Sequence, residues 1–155
     1  MRSIKDPRHI ARILAVMDLY ENYFSADNPQ TASTGINTDE LELGNHSKEI
    51  RQKAVEGIKA NLEAIDKVVN ENSEPVKIED LDLTLQQIIR LAVFEGFVAK
   101  SIPPKVAVDE AIELTRDFGH ELAVKKVSGI LGKIFEVRKA EFKEEDAKSS
   151  EPKSE

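Results

Sequence analysis

Lys5, Arg8 and Arg12 recur at three- and four-residue steps in a segment with helical periodicity, so they share one side of a helix. A line of cations suits the phosphates of a nucleic-acid strand, and the binding it supports weakens as salt rises. The same spacing is equally that of a solvated helix face. Reading an unpaired RNA base also requires a ring to stack on. Tyr20 or Tyr23, further along the same helix, offers one, and either is also suited to a core or an interface.

Other chemistry is poorly supplied. There is no glycine-rich phosphate loop, no Ser-centred elbow and no His pair at metal-binding spacing. His9, His46 and His120 each stand at a helix start or in a loop, where a lone His reads as a surface residue. The acidic group Glu79, Asp80 and Asp82 suits a helix N-terminus, and Glu144, Glu145 and Asp146 suit a solvated tail. The chain has no Cys, which removes disulfides, thiolate metal sites and Cys nucleophiles. No catalytic, cofactor or metal residues are therefore expected, and the chain is expected to bind rather than to catalyse. Asn45-His46-Ser47 fits a glycosylation sequon, but nothing in the chain suggests secretion.

The elements that must hold these residues are helical. With 155 residues, 40% hydrophobic and 33% charged, the chain has the size and balance of one ordinary domain. Aromatics are only 5%, so the core must rest on Leu, Ile, Val and Ala. No apolar run approaches the ~20 residues of a membrane span. Asp6, Pro7 and Arg8 break any signal-peptide pattern, so a cytoplasmic location is expected. The net charge of -7 argues against a chain wrapped in nucleic acid and leaves room for a local basic patch.

The first helix is expected to open with Asp6 as its cap and Pro7 at its first position. Ile10, Ile13, Leu14, Met17, Tyr20 and Phe24 give it one apolar face, and Val16, Leu19 and Tyr23 lie on or beside the basic side. It therefore has two contact surfaces. Residues 26–46 read as a long polar loop broken by Pro29, Gly35 and Gly44, with a short turn at 39–43. A second helix is expected over about 47–70. A third, over about 82–100 with Asp82 as cap, is apolar nearly all round and reads as a buried pillar. A proline connector, Pro103-Pro104, leads into a helix that stops at Phe118-Gly119. The last helix is expected from near His120 to Phe142, with Ser128, Gly129 and Gly132 as small residues where another backbone can approach. Residues 143–155 read as a disordered charged tail, leaving 1–142 as the helical domain.

The run Pro104-Lys105-Val106-Ala107-Val108-Asp109-Glu110-Ala111-Ile112-Glu113-Leu114, closing on Phe118-Gly119, resembles the most recognisable segment of the transcription antitermination factor NusB family. Val127-Ser128-Gly129-Ile130-Leu131 is similar to that family's F-V-N-G-V-L element, at matching spacing. Ile89-Arg90-Leu91-Ala92-Val93-Phe94-Glu95 is similar to its L-R-I-A-x-Y-E helix, and Gly57, Asn61 and Asp66 fit a weaker pattern before it. Ala11-Arg12, Ala15-Val16 and Leu19-Tyr20 match the N-terminal A-R-x-x-A-V-x-x-L-Y. The likeness covers roughly residues 8–135 in order.

The resemblance implies an all-α fold, a compact bundle of about six to seven helices in two perpendicular halves. It also implies an antitermination factor that binds a short single-stranded RNA element of nascent ribosomal RNA transcripts. The partner would be NusE, a ribosomal small-subunit protein, within an RNA polymerase antitermination complex. The same fold occurs as the RNA-binding domain of some ribosomal RNA methyltransferases; no such catalytic domain follows here, and the free factor is the expectation. Carried over, Lys5, Arg8 and Arg12 fall in the arginine-rich motif, and Tyr20 at its aromatic position. Lys125, Lys126 and Ser128 fall in the final-helix element beside the RNA. Lys126 replaces a Phe, Ser128 an Asn and Gly132 a frequent Asp. Those departures support an alternative, a protein-interaction module of the same fold with weakened or lost RNA binding.

Overall fold

The computed structural model describes the backbone of residues 6–27 and 47–150, and the side chains of 6–24 and 47–138. Lys5, positions 28–46 of the expected 26–46 loop with its turn at 39–43, and His46 lie outside the described residues; positions 26 and 27, expected in that loop, are instead the last of the first helix. Everything regular in the described chain is helical: six α-helices joined by short 3-10 and π turns. The fold is all-α, as the periodicities predict, and no helix among the described residues is long and apolar enough to cross a membrane.

Helix α1 spans Pro7–Asp27. The Arg8 amide donates to Asp6 Oδ1 at 3.0 Å, so Asp6 caps the helix ahead of Pro7 as expected. Both sides of the helix are used: Ile10 and Leu14 are buried on one, Val16 and Leu19 on the other. The buried stretch ends at Leu19, because Tyr20, Tyr23 and Phe24 all stand exposed. The expected apolar face thus stops short of Tyr20 and Phe24.

The segment expected as one helix from 47 is two, α2 over Lys48–Ala60 and α3 over Leu62–Ser73. Asn61 makes the break. Its side-chain amide donates to the Gly57 carbonyl at 2.7 Å while its backbone leaves the helical region, at φ -119° and ψ 18°. Asn competes with the helix ladder in this way because its short amide reaches nearby backbone groups. Gly57 has its own reason to be glycine: a Cβ there would fall inside the Phe94 ring.

Helix α4, Leu83–Val93, is the buried pillar, and Asp82 caps it by accepting from the Thr84 amide at 2.9 Å. Leu85, Ile88, Ile89, Leu91 and Val93 are all buried. It continues as a π turn over Phe94–Val98, where the Ala99 amide reaches back five residues to the Phe94 carbonyl. The wider turn lets Gly96 approach Pro104 and Ala107 of the next helix so closely that a Cβ would lie 2.9 Å from the Ala107 methyl.

Helix α5, Pro104–Asp117, ends at Gly119, whose φ of +81° favours glycine. A 3-10 turn over Glu121–Ala123 follows, then α6 over Val124–Ser150. Helical backbone therefore continues past the expected end at Phe142, into the segment expected as a disordered tail. A methyl group added at Gly129 or Gly132 of α6 would meet nothing within 4 Å, so no described backbone packs against them as the small-residue reading anticipated. Val127, Leu131 and Ile134 bury the other side of α6 in the common core.

Candidate nucleic-acid interface

The first turns of α1 were expected to present a solvated basic stripe. Only part of it is solvated. Arg8 is 71% exposed, with its guanidinium 3.7 Å from Asp6. Arg12, one turn later, is buried and bonded to Glu95 of the π turn: Nε to Oε1 at 2.8 Å and Nη2 to Oε2 at 3.0 Å. Two parallel bonds between planar groups make this a fork-on-fork pair. Burial alone would lower the Arg12 pKa; the Glu95 bonds and charge outweigh it, and the net shift is upward. Arg12 lies at helical spacing from Val16 and Leu19, so the side of α1 that carries it is an inner side.

His9 corrects the reading of a surface histidine. It is 3% exposed, with Nδ1 3.0 Å from Glu110 Oε2 and Nε2 against Asp117 Oδ2, both on α5. An imidazole whose two nitrogens both face carboxylates is held as the cation, since only that form donates from both. The Glu110 hydrogen bond raises its pKa above the ordinary 6.5, with burial opposing and Asp117 adding to the rise. Two further pairs brace the bundle in the same manner. Arg51 of α2 grips Asp18 of α1, with bonds of 2.6 and 2.8 Å. Arg90 of α4 grips Asp66 of α3, with bonds of 2.9 and 3.0 Å.

Arg8, Arg12 and Glu95 also line a cleft of about 290 Å³ between α1, α2 and the turn before α5. Lys53 and Glu49 of α2 line it, with Phe94, Ser101 and Ile102. Sequence reasoning missed Lys53, which belongs to a mixed-charge helix and gains meaning only from where α2 packs. It also missed Glu95 and Glu110. Both carried a signal: Glu110 sits at helical spacing between Ala107 and Leu114, and Glu95 lies between Phe94 and Phe97, so each acid falls among buried positions.

The remaining expected residues are dispersed. Tyr20 is 41% exposed beside a different cleft, which it shares with Met17, Thr84 and Phe118. Its ring packs edge-on against Phe24, with centroids 5.3 Å apart. Lys125 and Lys126 are exposed at the start of α6, and Ser128 is half-buried one turn on. The residues proposed from sequence thus occupy three places: the cleft beside α1, the surface at Tyr20, and the first turns of α6. Among the described residues no cluster of three or more His, Cys, Asp or Glu would hold a metal ion.

The model of the NusB family matches residues 8–136, from Arg8 through nearly all of the described core. The chain belongs to the NusB family. A relative named transcription antitermination protein NusB, from Bacillus cereus (strain B4264), is 30% identical over 128 residues, covering 82% of this chain and 95% of the relative. T. maritima NusB is similar in structure, with a TM-score of 0.65 and 29% identity over 83% of this chain and 90% of that one. A crystal structure of the antitermination factors NusB and NusE in complex with dsRNA shares the fold, with a TM-score of 0.64 and 24% identity, covering 82% and 94%. The NusB family is one of transcription antitermination factors and not of enzymes.

Proposed function

We propose that this NusB-family chain is a cytoplasmic antitermination factor that binds a short single-stranded RNA element of nascent ribosomal RNA transcripts together with NusE, within an RNA polymerase antitermination complex. The observation that carries the reading is the family match across residues 8–136. The cleft beside α1 supports it locally, because it brings Arg8 and Lys53 to one opening with the edge of Arg12. Arg12 can brace and bind at once. Glu95 occupies Nε and one Nη2 donor, and a guanidinium has five N–H groups. In this reading Lys5, Arg8 and Arg12 contact phosphates, Tyr20 contributes a ring, and Lys125, Lys126 and Ser128 border the strand. In this reading residues 1–142 are the binding domain and 143–155 a charged extension of it.

The test is a titration of the full chain against leader-type single-stranded RNA at two salt concentrations, with and without NusE. Each phosphate cation engaged contributes about -0.7 to the slope of log affinity against log salt for a single strand. A salt-dependent affinity that falls in Arg8→Ala and Lys53→Ala is expected. Affinity indifferent to salt and to both changes would overturn the reading.

A second reading keeps the fold and the NusE partner and gives up most RNA binding. It is favoured by the net charge of -7 and by the use of His9 and Arg12 as internal braces. The exposed apolar side chains Tyr20, Tyr23, Phe24 and Leu62 also suit a protein contact. In the same titration it gives NusE binding with no measurable RNA affinity.

A further inference from the structure

His9 is buried and titratable, and the RNA-binding reading gives it no part. It projects from the head of α1 onto α5, where Glu110 and Asp117 stand two turns apart on one face. Nδ1 lies 3.0 Å from Glu110 Oε2, a carboxylate nearly as buried as the ring, and Nε2 meets Asp117 Oδ2 at the edge of solvent. Its neighbours on the same helix serve the cleft. Arg8 precedes it, Arg12 follows three positions later, and both line the opening with Lys53 of α2. The head of α1 is also tied to the start of α2, where the Pro7 carbonyl accepts from the Ser47 amide at 3.3 Å. His9 thus holds α1 to α5 while its neighbour holds α1 to the helix that supplies Lys53, and the spacing of the cleft's cations depends on both ties.

The charged groups around the ring make its tie depend on a proton. Asp6 and Arg12 lie on its own segment, Glu110 and Asp117 on α5, and Glu95 of the π turn holds Arg12. With the ring charged, Arg8, His9 and Arg12 supply three cations against these four acids. A neutral ring leaves two against four. Its single N–H then serves one carboxylate, while its lone pair faces the other. Glu110, with less access to water, keeps the hydrogen bond, and Asp117 is released. Both consequences act against a phosphate in the cleft: the negative charge behind Arg8 and Arg12 grows, and the head of α1 loses a tie. The Glu110 hydrogen bond raises the ring's pKa, so the change falls above the ordinary 6.5.

We infer that His9 is a positioning residue of the RNA cleft, and that its proton and a bound RNA strand favour one another. This inference rests on the RNA-binding reading above. RNA affinity is full while the ring is charged and falls as pH rises through the ring's folded value. By linkage, bound RNA holds the proton to a higher pH.

The test follows the His9 ring resonances of the full chain by NMR between about pH 6 and 9, free and with leader-type single-stranded RNA. RNA affinity is measured over the same range at one salt concentration. It is expected to fall about fivefold as the ring loses its proton, the low end of couplings between sites, and RNA should raise the ring's midpoint to match. His9→Gln, uncharged at every pH, should bind with the parent's alkaline affinity and show no dependence on pH. Asp117→Asn, at a partly exposed position, should fold as the parent does and move the midpoint to lower pH, because it removes one of the two acids that hold the proton. An affinity that ignores the ring's titration, a profile that survives His9→Gln, or a ring that stays charged throughout would each sink the inference and leave the RNA-binding reading standing. A midpoint that Asp117→Asn leaves unmoved would do the same. Absence of RNA affinity at every pH would remove both.

Discussion

Removing either member of the Arg12–Glu95 pair should cost far more than a surface contact. Both residues are 6% exposed and joined by two short bonds, so Arg12→Ala leaves a carboxylate buried without its cation, and Glu95→Ala leaves the reverse. Breaking a buried pair from one side costs about 3–5 kcal/mol, because the survivor loses its main compensation for leaving water. For a domain of this size each kcal/mol corresponds to about 2–4 °C, so each single variant should melt about 6–20 °C lower. Replacing both with apolar residues of similar volume, Arg12→Met with Glu95→Leu, removes the desolvation penalty together with the attraction. That double variant should recover most of the loss. With Arg12→Met and Glu95→Leu also made singly, thermal and urea denaturation of the parent, these two variants and their double form a double-mutant cycle, with a coupling of about 2 kcal/mol or more expected. Single variants that melt within a few degrees of the parent would refute the burial argument. The pair would then be open to water in solution, and Arg12 free for other work.

The other expectations follow from particular contacts. His9 has a raised pKa in the fold, so its stabilising share is fully present below the unfolded value of 6.5 and is lost as pH rises through the folded value; equilibrium stability should fall as pH rises above 6.5, and His9→Gln should flatten that slope. Gly57→Ala drives a methyl into the Phe94 ring, an overpacking cost of about 1–3 kcal/mol offset by a helix-propensity gain of ~1 kcal/mol, and should lower the melting point. Gly129→Ala and Gly132→Ala enter open space and should each raise stability by up to about 1 kcal/mol, unless a partner packs there. Asp82→Ala removes the cap of the central helix and should cost ~1 kcal/mol in urea denaturation, with Asp82→Asn retaining most of it.

The local code of the helices was readable because each start and stop has a short-range cause. Asp6 before Pro7, Asp82 before an apolar run, and Gly119 after Phe118 all act within a few residues, and all three do in the structure what their spacing says. Asn61 was missed because a mid-helix Asn breaks a helix only when its amide turns back on its own carbonyls, a choice made by packing. The glycines illustrate the same limit in reverse. Gly129 and Gly132 drew attention by clustering, yet face open space, while Gly57, isolated in a charged helix, sits under a buried ring. Contact across the bundle decides such cases, and neither periodicity nor local spacing records it. His9 was misread for that reason: its two carboxylates lie on a helix more than a hundred positions away.

That distance bears on what the basic motif at the head of α1 can do. A run of cations in sequence suggests a single role, but the fold divides it. His9 and Arg12 turn inward and fasten α1 to α5 and to the π turn, each against acids that helical spacing places on buried faces. Arg8 stays outside and lines a cleft together with Lys53, a cation from a different helix. The basic surface offered to a ligand is therefore assembled by the tertiary structure, and α1 must be docked before it exists. Position 12 joins the two roles, since the guanidinium that closes on Glu95 also lines the cleft. Loss of RNA affinity in an Arg12 variant consequently reports on phosphate contact only when the variant is shown to be folded. Arg8→Ala and Lys53→Ala, whose side chains brace nothing buried, report on it directly.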